Sequence, residues 1–90
     1  MSLPYSKLLE ATRNGENYKE FDGTYYNWSY KIVLYHNCIN FGFLSENYVC
    51  YFAMNTNYFE SLSYKGFKTA INTNLYYNST PIPAKEVIQL

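Results

Sequence analysis

The sequence predicts an α+β fold: an antiparallel meander of three or more strands, with an N-terminal helix and a C-terminal helix packed on one face. Two patterns and one bound predict it. From Thr24 to Asn55 the chain alternates with period two and is rich in aromatic and β-branched residues, whereas Pro4 to Asn14 and the stretch after Glu60 carry apolar residues at helical spacing. Ninety residues suffice for one two-layer core and leave no room for a cleft between two domains, so residues 1–90 read as one domain.

The first helix is predicted over Pro4 to Asn14. Pro4 suits an opening turn, Tyr5, Leu8, Leu9 and Thr12 form a stripe, and Asn14-Gly15 is a stop signal. Glu16 to Gly23 is polar and ends in the turn dipeptide Asp22-Gly23, which leaves only a short edge strand around Tyr18 to Phe21.

The meander follows. A two-residue turn at His36-Asn37 and a three-residue turn at Ser45-Glu46-Asn47 set a register. In it Leu34 faces Ile39 and then Ala53, Ile32 faces Phe41 and then Tyr51, and Tyr30 faces Phe43 and then Val49. Trp28 extends that core face. The other face then holds Lys31, several Asn, Cys38, Tyr48 and Cys50, with Val33, Tyr35, Phe52 and Met54 forming a modest apolar patch toward one end. After Glu60, Ser61 or Ser63 caps a helix to about Tyr77, with Leu62, Phe67, Ile71 and Leu75 on one face; because Gly66, Thr69, Asn72, Thr73 and Asn74 are poor helix formers, a further hairpin is the alternative. Asn78 to Pro83 reads as a break, and Ala84 to Leu90 as a short edge strand or a tail.

Composition narrows the function classes. Seven Lys and Arg balance seven Asp and Glu, and each half of the chain is neutral. Clustered charge of either sign, as in a duplex binder or a mimic of nucleic acid, is absent. No stretch of about 18 apolar residues could span a bilayer, and Met1-Ser2-Leu3-Pro4 lacks the features of a signal peptide, so the expectation is a cytoplasmic protein with no membrane partner. The acceptor patterns Asn27-Trp28-Ser29 and Asn78-Ser79-Thr80 are matched readily by chance in a chain with eleven Asn.

Catalytic constellations are weak. His36 and Cys38 are two residues apart, but the turn that needs His36 breaks the alternation such a nucleophile pair assumes. His36, Cys38, Cys50 and Glu46 lack the spacing of zinc ligands, and Cys50, placed opposite Gly42, is too far along the strand from Cys38 for a disulfide. Glu10, Glu16, Glu20 and Asp22 fall outside the aromatic sheet, and no phosphate loop or nucleophile elbow occurs. The expectation is a non-enzyme with no cofactor and no metal.

Twelve Tyr and eleven Asn are the compositional excess. AT-rich codons account for much of it, because Phe, Tyr, Met, Ile, Asn and Lys supply 42 of the 90 residues. Tyr with Asn and Ser is also the palette of adaptable protein-binding surfaces. In size and composition the chain resembles small accessory proteins of phages and mobile elements, a class that includes anti-CRISPR and other anti-defence inhibitors. That resemblance implies steric blocking of a host protein or protein complex. The candidate binding residues are Tyr25, Tyr35, Tyr48, Phe52, Met54, Tyr76 and Tyr77. The same patch could instead pair two copies of the chain as a homodimer. The alternative is a single-stranded nucleic-acid binder, with Tyr35, Tyr48 and Phe52 stacking bases beside Lys31.

Overall fold

The computed structural model describes residues 3–83. The order of elements is α1 (Tyr5–Arg13), β1 (Tyr18–Tyr25), β2 (Trp28–Tyr35), β3 (Cys38–Leu44), β4 (Tyr48–Asn55), α2 (Thr56–Glu60), α3 (Tyr64–Tyr77) and β5 (Thr80–Pro81). The strands form one antiparallel sheet in sequence order, β1-β2-β3-β4-β5. The fold class is the predicted α+β, with the helices on one face.

α1 ends as its residues require: Asn14 is the C-cap and Gly15 takes φ +68°, the left-handed conformation that glycine adopts without steric cost. α3 starts at Ser63, whose hydroxyl accepts from Gly66 N–H at 3.1 Å. Of its expected stripe, Phe67 and Ile71 are fully buried and Leu75 packs at the margin. The short α2 was outside the sequence expectation. Asn55 ends β4 and accepts from Asn57 N–H at 2.7 Å, so the strand runs straight into a capped helical turn.

The β2–β3 hairpin has the predicted register, with Leu34 opposite Ile39, Ile32 opposite Phe41 and Tyr30 opposite Phe43. Its turn is His36-Asn37, at φ 47° and 66°, the double positive pair of a type I′ turn. β4 departs from prediction by one residue. Ser45 N–H donates to Tyr48 C=O at 2.9 Å, and Ser45 Oγ accepts from Tyr48 N–H at 3.1 Å, so the turn has two residues, Glu46 and Asn47, rather than three. Ile39 therefore lies opposite Met54, Phe41 opposite Phe52 and Phe43 opposite Cys50. An odd shift exchanges the faces of the whole strand. Cys50, Phe52 and Met54 join the core layer, and Tyr51 and Ala53 take the outer face.

Two further expectations fail. Asp22-Gly23 is no turn: β1 runs through it to Tyr25 and the chain reverses at Tyr26-Asn27, with Tyr26 at φ 55°. Gly23 serves packing, because a Cβ there would lie 2.5 Å from the Tyr30 hydroxyl, so the Tyr30 ring crosses the strand only over a glycine. The segment from Asn78 to Pro83 is not merely a break, since Thr80 and Pro81 pair with Val49 and Tyr48. Ala84 to Leu90 lies outside the described residues.

The core sits between the sheet and the helices. Leu8, Ala11, Phe59, Phe67 and Ile71 from the helices meet Phe21, Ile32, Leu34, Ile39, Phe41 and Phe43 from the sheet. Phe41 and Phe52 stack with centroids 4.7 Å apart, and Phe59 meets Phe67 edge-on at 5.0 Å. No helix among the described residues is long and apolar enough to cross a membrane.

Candidate functional site

The seven predicted binding residues separate into three places. Three are packed into the layer beneath the helices. Tyr25 is 3% exposed and Met54 7%, and the Phe52 ring stacks on Phe41 and Phe43, so none of these three offers a free side chain. For Phe52 and Met54 the cause is the shorter turn. For Tyr25 it is the continuation of β1 through Gly23, which carries Tyr25 onto the core side, where its hydroxyl donates to Asn72 Oδ1 at 2.6 Å. Burial raises the Tyr25 phenol above its ordinary pKa.

Tyr35 alone of the seven stands on the outer face of the sheet, which the described helices leave uncovered. Its ring meets Tyr18 edge-on at 6.3 Å and His36 at 4.2 Å, forming an aromatic corner. Tyr51, outside the prediction, lies on the same face with its ring over Gly42. Between them runs a polar strip, where Lys31 Nζ lies 3.3 Å from Glu20 Oε1.

Tyr48, Tyr76 and Tyr77 are exposed toward the other end of the molecule, where Tyr76 and Tyr77 meet edge-on at 4.8 Å. Here the β1–β2 turn and the C-terminal half of α3 enclose a shallow hollow of about 440 Å³. Tyr26, Asn27, Trp28, Asn72, Leu75 and Tyr76 line it, with Tyr25 at its base. Each wall has a local cause. The positive φ of Tyr26 turns the chain, the Trp28 ring is held edge-on against Phe43 at 6.3 Å, and the Tyr25 to Asn72 bond ties the turn to α3.

The hollow contains no charged residue. Its lining would suit an apolar or aromatic group: Trp28, Leu75 and the tyrosine rings offer contact area, and Asn27 and Asn72 are its amide residues. The sequence reading brought only Tyr25 and Tyr76 of this set. The turn at Tyr26-Asn27 was hidden by the more conspicuous Asp22-Gly23, and without that turn Tyr26 and Trp28 have no reason to face α3.

The thiols are separate. Cys38 lies on the outer face and Cys50 is buried under α3, where its Sγ–H donates to Asn74 C=O at 3.4 Å. Burial raises the Cys50 thiol above its ordinary pKa, which works against thiolate chemistry. Among the described residues no three of His, Cys, Asp and Glu come together in a group able to hold a metal ion. Compared with protein-family models, with curated proteins and with solved structures, the chain matches none.

Proposed function

We propose that the chain is a non-catalytic protein-binding module that receives an apolar or aromatic side chain of its partner in the hollow between the β1–β2 turn and α3. The observation that carries this reading is the convergence of Tyr26, Trp28, Leu75 and Tyr76 around an uncharged concavity. Tyrosine and tryptophan anchors beside asparagine are what protein interfaces use at their energetic centres. The size and composition favour a host defence protein as the partner, blocked sterically by a phage-encoded inhibitor. The single-strand reading has less support, because Lys31 on the outer face is paired with Glu20, leaving no row of free cations there among the described residues to follow phosphates.

The test is capture from the native host with the tagged chain. Tyr26→Ala with Tyr76→Ala should abolish retention of one host protein while the melting temperature holds, because both side chains are exposed. Tyr35→Ala on the outer face should leave retention intact. Capture that survives the first pair and fails with Tyr35→Ala would move the site to the sheet face. Retention of a single-stranded oligonucleotide that falls steeply with salt would favour the alternative.

A further inference from the structure

Separate from the hollow, the two long edges of the sheet differ in chemistry. In the β3–β4 ladder Ser45 bonds Tyr48 and Thr56 N–H donates to Asn37 C=O, so the even-numbered residues of β4 turn their backbone groups toward β3. The odd ones face outward. Of these, Val49 is covered by Thr80 of β5, and Ile82 N–H continues the pairing to Asn47, so the ladder runs away from the rest of the strand. Among the described residues nothing pairs with the outward amide groups of Tyr51 and Ala53. The strand from Tyr48 to Asn55 holds no charged residue and no proline, the devices that ordinarily blunt an edge.

The edge is flanked on its helical side by a groove of about 650 Å³ between β4 and α3. Gly66, Thr69, Ala70 and Thr73 form its helical wall and Met54 its floor, again without a charge. The free run Tyr51 to Asn55 is centred on Ala53. In an antiparallel sheet, facing residues share a face, so pairing the run with itself about Ala53 sets Phe52 opposite Met54 on the helical side and Tyr51 opposite Asn55 on the outer side. Ala53, the smallest side chain of the strand, falls on the axis, and its outward N–H and C=O meet the same groups of its counterpart. Asn55 N–H meets Tyr51 C=O on either side. A chain of zero net charge adds no overall repulsion between copies.

We propose that β4 is a homodimerisation edge, at which a second copy adds its own β4 antiparallel about Ala53 and joins the two sheets into one. The Ala53 N–H points away from β3, so Ala53→Pro removes the intermolecular donor and leaves the internal ladder whole. Sedimentation of the full chain over a wide concentration range should show the mass rising from 10.6 kDa to twice that value. Ala53→Pro should raise the dissociation constant at least about tenfold, the loss of about 1.4 kcal/mol of pairing. Ala53→Lys, whose side chain projects from the exposed outer face, should do the same by placing two like charges on the axis, and it serves should the proline variant misfold. Ala53→Cys should form an intermolecular disulfide under mild oxidation, since bonded partners lie about 5.5 Å apart at Cα, whereas Tyr18→Cys on β1 should not. A mass of 10.6 kDa at every concentration overturns the proposal. Amide exchange then says why: slow exchange at Tyr51 and Ala53 assigns the edge to the chain's own remaining residues, and fast exchange leaves it empty. A dimer untouched by both Ala53→Pro and Ala53→Lys overturns it equally.

Discussion

The two faces of the sheet use the same class of side chain in opposite ways. In the layer between the sheet and the helices lie all six phenylalanines, four from the sheet and two from the helices, five of them buried and Phe52 stacked among them. Tyrosine goes the other way: nine of the twelve are exposed, on the outer face, the turns and the helix surfaces. The tyrosines that do enter the inner layer place their hydroxyls at its margin. Tyr5 donates to Leu62 C=O at 2.6 Å and Tyr25 to Asn72. The lesson is that one hydroxyl, which costs free energy wherever it is buried without a partner, sorts the aromatic residues. Codon bias can supply an excess of both types, but it cannot sort them between faces.

The comparison can be broken from either side. Phe67 is fully buried against Tyr5, Phe41 and Phe59, so Phe67→Ala should lose about 3–5 kcal/mol, read by chemical denaturation. Phe43→Tyr adds only an oxygen, but at a position 1% exposed, and should cost about 1–3 kcal/mol. A neutral result there would show that volume, not the hydroxyl, decides the sorting. On the outer face the effects should shrink. Lys31→Ala breaks the pair with Glu20 between two half-exposed side chains and should cost less than about 1 kcal/mol, with the difference fading at high salt. Tyr35→Phe, the reverse of the phenylalanine change, should stay within about 0.5 kcal/mol.

The sequence announces most of the fold where one physical signal acts alone. His36-Asn37 demands positive φ at two successive residues, and that turn sets the β2–β3 register without help. Ser63 and Gly15 mark helix ends for equally local reasons. The failures come where two signals agree with two answers. In β4 both alternating sets are apolar: Val49, Tyr51 and Ala53 in one, Cys50, Phe52 and Met54 in the other. Either fills a core, so hydrophobic pattern cannot choose the face, and the one residue of turn length at Ser45 to Tyr48 decides it. Gly23 misleads for a different reason. A glycine that makes room for a ring from the next strand looks, in one dimension, like a glycine that turns the chain. The candidate hollow was less legible than the fold, since it needs the true β1–β2 turn and the position of α3 together.

The far edge of the sheet has its own consequence. Asn17 C=O accepts from His36 N–H, so the even residues of β1 turn their amides outward, and their side chains at that rim include Glu20 and Asp22. A strand approaching there meets charged side chains, Asp22 and the Glu20 paired with Lys31, along the rim where it would have to dock. If β4 is the receptive rim proposed above and β1 the guarded one, each molecule would accept a single neighbour. Strand addition at the proposed β4 edge would then terminate at a pair, and the route to an endless fibre, open to a sheet with two bare rims, would be closed by the charged rim of β1.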